Sequence, residues 1–251
     1  MQSKFYSPDQ HRAEKVRELF ATIARRYDLL NDLMSLGLNR RWKRRLVEMA
    51  EGERKTESGE QKHVLDLCCG TGDIALAFAR RGACVTGVDF TAEILQVAAV
   101  RCSRLECFGA TSRVQLVQAD ALRLPFPDNA FDVVSVGYGL RNLADLGAGL
   151  NEILRVLRPG GKLLSLDFGK PGSRLWRAVY FGYLSVVPPA LGRLFCGDAD
   201  THGYIIQSLH AYPAQQGLKS LMEQCGYADC GFEEFCGGAM AINFGWKPPG
   251  Q

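Results

Sequence analysis

The chain has 251 residues, a net charge of +3 and a hydrophobic fraction of 47%, which together predict a single globular domain with a substantial core. So small a net charge is not typical of a dedicated nucleic-acid binder, and no nucleic-acid partner is expected. Nine cysteines without a C-x-x-C pair predict neither a disulfide framework nor a metal site. No signal peptide and no run of about 18 apolar residues is seen, so a reduced cytoplasmic interior is expected, or an organellar one in a eukaryote.

An amphipathic helix is predicted over residues 11–27, because apolar side chains recur there along one stripe. Such a helix would pack on the edge of the domain or serve as a lid over a bound cofactor. Residues 27–42 are interrupted too often, at Asn31, Ser35 and Gly37, for one plain helix. Residues 51–62 carry many charges and no apolar anchor, so they are predicted to form a mobile surface loop.

A strand, a glycine turn and a helix are predicted over residues 63–79. The apolar run at 63–67 ends at Gly70-Thr71-Gly72, and apolar residues then recur at helical spacing. Glycines let backbone N–H groups approach a ligand closely, and a helix N-terminus favours negative charge. The next strand ends at Asp89, about 20 residues beyond the turn, where a carboxylate suits hydrogen bonding to ribose hydroxyls. The unit therefore predicts nucleoside binding.

The kind of nucleoside depends on the residues around the turn. Ala75 stands at the third position of a dinucleotide fingerprint, so its spacing leaves a dinucleotide open. Asp66 and Asp73 bracket the turn, however, and two carboxylates favour a cation such as the sulfonium and amino group of S-adenosylmethionine over a pyrophosphate. The run from Asp66 to Gly72 resembles motif I of class I methyltransferases, D-x-x-x-G-x-G.

Two further loops follow predicted strands. The third strand, residues 113–117, leads to Asp120-Ala121, and the fourth, from Phe131, leads to residues 137–142, G-Y-G-L-R-N. Ligands of open α/β sheets bind at these carboxyl ends of the strands. Gly137 and Gly139 are expected to leave room for a substrate ring. The polar groups beside that ring would come from Tyr138, Arg141 and Asn142.

These stretches resemble the ubiquinone/menaquinone C-methyltransferase family. The G-L-R-N loop is a hallmark of that family, and residues 155–167 match its second signature except that Asp167 replaces the usual Glu. The first signature of the family is Y-D-x-x-N-x-x-x-S-x-x-x-H-x-x-W. This chain matches it at Tyr27, Asp28, Asn31, Ser35 and Trp42, and differs from it at Asn39, where the family usually has His. The resemblance spans roughly residues 14–247.

Residues 171–213 depart from the alternation of strands and helices. Aromatic and branched residues crowd around Pro188-Pro189, more than one core helix requires, which predicts a cap with an apolar wall over the active site. Such a wall suits a hydrophobic substrate, and an exposed apolar patch would suit a membrane surface. From Leu218 a helix is predicted, then two runs, 227–235 and 239–245, that would form an antiparallel hairpin.

The family resemblance implies an α/β fold of the class I S-adenosylmethionine-dependent methyltransferases. It has a doubly wound, mostly parallel sheet of seven strands in the order 3-2-1-4-5-7-6. One domain, residues 1–251, would comprise a helical lid (11–50), a cofactor-binding core (63–170), the cap (171–213) and a C-terminal helix and hairpin (218–247).

The resemblance also implies methyl transfer from S-adenosyl-L-methionine to a ring carbon of a prenylated quinol. Demethylmenaquinol or its phytylated relative is the first choice of substrate, and a 2-methoxy-6-polyprenyl-1,4-benzoquinol the second. A nicotinamide-dependent oxidoreductase and a non-catalytic methyltransferase-like subunit remain as alternatives from other classes. A homodimer is left open.

Roles for individual residues follow from these patterns and the resemblance. Arg141 is expected to stabilise a developing phenolate, with Asn142 and Tyr138 beside it, while a water or one of His202, Tyr204 and His210 takes the proton. Tyr27, Asn31 and Tyr204 are expected to contact the substrate. The expected cofactor-binding residues are Asp66, Gly70, Thr71, Gly72, Asp89, Phe90, Asp120, Ala121 and Gly137.

Overall fold

The computed structural model describes residues 12–24, 26–51, 61–107 and 114–250. One sheet of seven strands runs through it in the order β3-β2-β1-β4-β5-β7-β6, as predicted. All neighbours are parallel except the two pairs made by β7, which lies antiparallel between β5 and β6. The strands are β1 (His63–Leu67), β2 (Cys84–Asp89), β3 (Val114–Gln118), β4 (Phe131–Gly137), β5 (Leu157–Phe168), β6 (Ala228–Phe235) and β7 (Met240–Trp246).

Helices cover both faces of this sheet, because the central parallel strands are apolar on both sides and must be buried on both. β1 and β4 show this most clearly, since nearly all of their residues are buried. The helices are α1 (Arg12–Ile23), α2 (Tyr27–Met34), α3 (Leu38–Glu51), α4 (Asp73–Ala79), α5 (Ala92–Cys107), α6 (Leu146–Val156), α7 (Arg174–Cys196), α8 (Asp200–Ala211) and α9 (Ala214–Gln224).

Several predicted boundaries differ from the structure. The helix expected over 11–27 is two helices, α1 and α2, and the second begins at Tyr27. The fifth strand starts at Leu157 rather than Lys162, because Leu157 already pairs with Phe131 of β4, and the register shifts before Lys162 pairs with Val133. α9 begins at Ala214, four residues before the predicted Leu218. Most of the predicted loop at 51–62 (residues 52–60) lies outside the described residues.

The cap consists of two packed helices, α7 and α8. α7 has 23 residues and ends at Gly197, whose φ of +75° is the left-handed conformation that glycine adopts without strain. Within the described part of the chain, α7 is long and apolar enough to cross a membrane by length and composition, which the sequence analysis did not anticipate. In this structure it packs on α8 and on the lid helix α2, so it is part of the folded domain.

Candidate functional site

A cavity of about 400 Å³ lies at the carboxyl ends of β1, β2 and β4. That volume is within the range of small-molecule binding sites in proteins. α1 closes one side of it through Val16 and Phe20, so the first helix does cover the cavity as a lid would. Other lining residues include Tyr27, Cys68, Gly70, Asp89, Phe90, Ile94, Asp120, Ala121, Gly137, Tyr138 and Asn142. We call this space the cofactor cavity.

Asp89 connects the glycine turn to the second strand at the edge of this cavity. One of its carboxylate oxygens, Oδ2, accepts the backbone N–H of Gly70 at 2.9 Å, and Oδ1 accepts that of Thr91 at 3.0 Å. Burial raises the pKa of Asp89, and the two backbone N–H groups oppose that effect. A carboxylate accepts about four hydrogen bonds, so each oxygen keeps capacity for a ribose hydroxyl. The remaining acceptor capacity of this carboxylate therefore fits the hydroxyls of the predicted nucleoside.

Asp66, which the sequence predicts as a cofactor-binding residue, does not line the cofactor cavity. The side chain is 1% exposed, and its oxygens accept the hydroxyl of Ser135 at 2.8 Å and the backbone N–H of Ala75 at 2.9 Å. Burial raises the pKa of Asp66 to about 7. This carboxyl group therefore joins β1 to β4 and to the first turn of α4.

Asp73, expected beside the cofactor's cationic groups, instead holds the lid to the glycine turn. It pairs with Lys43 at 2.7 Å and with Arg101, which also contacts Asp28 at 2.8 Å. Thr71 donates its hydroxyl to Asp28 at 2.7 Å. Thr71 and its neighbour Gly72, also predicted as cofactor-binding residues, are absent from the cavity lining.

Other predicted cofactor residues face the cavity. Asp120 accepts the backbone N–H of Leu122 at 2.9 Å through Oδ1. That leaves its second oxygen available to a ligand amine. Phe90 and Ala121 line the same space. Asn142, predicted to be catalytic, also lies here, with its amide donating to the carbonyl of Tyr138 at 3.2 Å, so we expect it to contact the cofactor.

A second cavity, of about 300 Å³, lies between the lid and the cap and is almost wholly apolar. α7 provides one wall, and α2 and α3 provide the opposite one. We call this space the apolar cavity. Its lining includes Asn31, Met34, Leu36, Asn39, Trp42, Tyr138, Phe168, Trp176, Val179, Tyr180, Tyr183, Leu184 and Met240.

A small pocket of about 10 Å³ shares lining residues with both cavities, and we call it the junction pocket. It shares Tyr27 with the cofactor cavity and shares Asn31, Met34 and Phe168 with the apolar cavity. Tyr138 lines all three spaces. A group held in the cofactor cavity and a ring held in the apolar cavity would therefore meet beside Tyr138.

Arg141 lines the junction pocket as a deeply buried cation. Its guanidinium donates to Asp167 at 3.0 Å, to the carbonyl of Tyr138 at 2.6 Å and to the hydroxyl of Tyr204 at 3.0 Å. Burial alone would lower the pKa of Arg141, but Tyr204 and Asp167 outweigh it and the pKa is raised. The sequence analysis missed Asp167 as a partner, although it ends β5 directly beside the Arg141 loop.

The backbone of Tyr138 is strained, with a φ of +61° that bulky residues rarely adopt. Such strain is usually held by surrounding structure at functional sites. The sequence predicts that Gly137 and Gly139, on either side of Tyr138, leave room for a substrate ring, but protein side chains lie close to both glycines. A Cβ at Gly137 would lie 2.5 Å from Ile74, and one at Gly139 would lie 2.5 Å from Cys68, so protein side chains take that space.

The three predicted substrate residues, Tyr27, Asn31 and Tyr204, all line the junction pocket. Burial raises the pKa of Tyr27 further above its ordinary value, and Arg141 opposes that shift. Among the suggested bases, His210 is exposed and stacks on Phe181 at 5.1 Å between ring centroids. The side chain of His202 lies outside the described part of the structure.

Comparisons with known proteins agree with this arrangement. The profile of the ubiE/COQ5 methyltransferase family matches residues 9–247. The Ubiquinone/menaquinone biosynthesis C-methyltransferase UbiE of Azotobacter vinelandii is 39% identical over 244 residues, which is 96% of this chain and 93% of that protein.

Solved structures share the fold at low sequence identity. A SAM-dependent methyltransferase from Thermotoga maritima superposes with a TM-score of 0.61 at 17% identity, covering 92% of this chain and 99% of that one. The cyclase SpnF also gives 0.61, at 18% identity over 95% of this chain and 97% of that one. A fold shared with a cyclase does not by itself determine the reaction.

Proposed function

The chain belongs to the ubiE/COQ5 methyltransferase family and is an S-adenosylmethionine-dependent C-methyltransferase of the ubiquinone/menaquinone type; on that premise we propose that its substrate is demethylmenaquinol or demethylphylloquinol. The apolar cavity carries this proposal, because it shares Tyr138 with the cofactor cavity, and the junction pocket shares residues with both. Its aromatic lining, with Trp42, Phe168 and Trp176, suits a fused naphthoquinol ring, which carries no methoxy group, better than a methoxylated benzene ring.

The chain's own residues supply alignment and charge. S-adenosylmethionine, held by Asp89, Asp120 and the glycine turn, supplies an electrophilic methyl group. The walls from α1 and α7 exclude water from the two cavities, which strengthens electrostatic interactions inside them. Arg141 places a cation beside the junction pocket, where it would stabilise negative charge that develops on a ring oxygen. A guanidinium cannot accept a proton at neutral pH, so the proton of the ring hydroxyl is transferred to a water or to another side chain.

A methyl-transfer assay with paired substrates tests the proposed substrate. Demethylmenaquinol and the corresponding benzoquinol, with identical prenyl tails, are incubated with methyl-labelled S-adenosylmethionine. We expect a higher kcat/KM for the naphthoquinol. A higher kcat/KM for the benzoquinol would reverse the choice, and no labelled product from either would refute a quinol substrate.

A pair of variants tests whether the apolar cavity holds that substrate. Val179 lines the cavity, whereas Leu175 lies one turn away on α7, is 78% exposed and is absent from the lining. Val179→Trp should raise the KM for the quinol by about tenfold, because the larger ring fills the cavity. Leu175→Trp is the matched control and should leave that KM unchanged. Equal effects of the two variants would contradict binding in this cavity.

We further propose that the cap docks on an anionic lipid surface, which would place the protein peripherally at a membrane. Exposed apolar side chains lie on α2, on the turn after it and on α7, including Leu33, Leu36 and Val186 at 40%, 88% and 67% exposure, and Leu36 also lines the apolar cavity. α7 carries three arginines and no acidic residue, which suits anionic lipid headgroups. A prenyl tail leaving the apolar cavity would then enter the bilayer directly.

Vesicle flotation tests this docking. Val186→Asp should reduce binding to vesicles that contain an anionic phospholipid, while Val100→Asp, at a 55% exposed position on α5, should not. Equal vesicle binding of both variants and the parent would refute the proposal. Loss of a dimer in Val186→Asp, without any vesicle binding by the parent, would assign the surface to a second copy of the chain instead.

A further inference from the structure

Two asparagine side chains that line the apolar cavity each carry one buried polar atom without a hydrogen-bond partner among the described residues. These atoms are Oδ1 of Asn39, a residue that is 4% exposed, and Nδ2 of Asn31, whose side chain also interacts with the Tyr27 hydroxyl and lowers its pKa. Both residues line the apolar cavity. Buried polar side-chain atoms nearly always have a partner, so an unpartnered pair in an apolar wall indicates a ligand that brings its own polar atoms.

The two amides are held in place by one serine. Ser35 donates its hydroxyl to the backbone carbonyl of Asn31 at 2.7 Å, and its oxygen accepts the backbone N–H of Asn39 at 3.2 Å. This hydroxyl therefore links the end of α2 to the first turn of α3. The separation of the two side chains is set by backbone contacts, and does not depend on the amides themselves.

The two amides differ in where they lie. Asn31 also lines the junction pocket, together with Arg141 and Tyr204, whereas Asn39 lines the apolar cavity and not the junction pocket. One amide is thus on the side where the methyl group arrives. The other is on the side where an apolar tail would extend.

We propose that Asn39 is a positioning residue that binds the ring hydroxyl remote from the reaction, while Asn31 binds the oxygen beside Arg141. This inference rests on the proposed function, because it requires a 1,4-quinol in the apolar cavity. In such a quinol, the carbon that receives the methyl group is next to one oxygen, and the tail-bearing carbon is next to the other. Anchoring the two oxygens at the two amides therefore points the accepting carbon at the cofactor cavity and the tail along α7.

A substrate analogue without the remote hydroxyl tests the contact. The analogue keeps the tail and the oxygen next to the accepting carbon. We expect the parent protein to show a KM about tenfold higher for the analogue than for the quinol, which corresponds to about 1.4 kcal/mol. In Asn39→Leu the KM for the quinol should rise by a similar factor, while that for the analogue should not change.

Stability and cofactor binding separate this role from a structural one. Asn39→Leu replaces an unpartnered amide with an apolar group of similar size, so the melting temperature of the ligand-free protein should stay the same or rise. Affinity for S-adenosylhomocysteine should not change, because Asn39 does not line the cofactor cavity. Asn39→His, which restores a polar ring, should recover part of the preference for the quinol.

Equal KM values of the parent for quinol and analogue would overturn the inference, even if Asn39→Leu did not fold. So would an equal rise in both KM values in Asn39→Leu. Either of these results would leave the proposed function intact, since methylation of the quinol would still be observed. If the parent methylated neither compound, the proposed function would fail, and this inference with it.

Discussion

Replacing Arg141 by Gln should damage the protein in two separable ways. The first is a loss of stability. The ion pair with Asp167 joins two side chains that are each 4% exposed, at 3.0 Å, and removing one partner of such a pair costs about 3–5 kcal/mol. The Asp167 carboxylate would keep the backbone N–H of Phe168, at 2.8 Å, as its shortest remaining hydrogen bond. The melting temperature should therefore fall by roughly 10 °C.

The second effect is on the chemical step. If Arg141 stabilises the developing phenolate, its contribution is larger in the transition state than in the ground state, and loss of the charge should slow methyl transfer about 100-fold, or about 2.7 kcal/mol. Affinity for S-adenosylhomocysteine should be nearly unchanged, because Arg141 does not line the cofactor cavity.

The double variant Arg141→Gln, Asp167→Asn separates the two effects. It removes both charges of the buried pair, so most of the lost stability should return, while single-turnover methyl transfer at saturating quinol stays about 100-fold slow. Arg141→Lys should recover only part of the rate, since it keeps the charge and loses the planar set of donors. A normal rate in the double variant would show that Arg141 serves the fold alone and would refute the catalytic role.

Three more predictions concern the cofactor side and the sheet. Asp89→Ala removes acceptors from the ribose and from the N–H of Gly70, so calorimetry should show S-adenosylhomocysteine affinity lower by about 2 kcal/mol or more; parent-like affinity would contradict the assignment. Burial raises the pKa of Asp66 to about 7. The folded state therefore keeps a proton that the unfolded chain releases near pH 4. The protonated Asp66 side chain contributes to the free energy of unfolding fully below about pH 4, and that contribution is lost as the pH rises through about 7. Between pH 5 and pH 8 this loss amounts to about 2.6 kcal/mol, and Asp66→Asn should remove it in urea unfolding; the same pH dependence in the variant and the parent would argue against the shift. Gly139→Ala would place a Cβ 2.5 Å from Cys68 and should lower stability by about 1–3 kcal/mol; an unchanged melting temperature would show that the loop relaxes freely.

Much of the architecture could be predicted from local patterns. The period of apolar residues changes from strand to helix at Gly70, and the buried runs of β1 and β4 are continuous, so these elements could be placed from neighbouring residues alone. The order of all seven strands came from the family resemblance, and the structure confirms it. Boundaries were less accurate at the start of β5, where Leu157 pairs with β4 ahead of an irregular proline–glycine segment that local composition predicts as a turn.

The role of a side chain could be predicted only where its position relative to a strand or turn already indicated its surroundings. Asp89 follows a strand at the cofactor end, and the structure places it at the cofactor cavity. Asp66 and Asp73 flank the same turn in sequence, but alternate residues of a strand point to opposite faces, and a helix N-terminus recruits its own cations. Asp66 is therefore buried against Ser135, and Asp73 pairs with Lys43, 30 residues away.

The sequence by itself determined the strand, nucleoside turn and helix at residues 63–79 and an apolar cap, because periodicity and glycine turns act over a few residues, while the methyltransferase-type sheet came from the family resemblance. The tertiary structure decided which charges meet. Arg141 pairs with Asp167 and Tyr204, 26 and 63 residues away, and Asn31 and Asn39 are left facing the apolar cavity. Such contacts depend on strands and helices distant in the chain packing together, and the free energy of burying a charge or an amide is set only when that packing is complete.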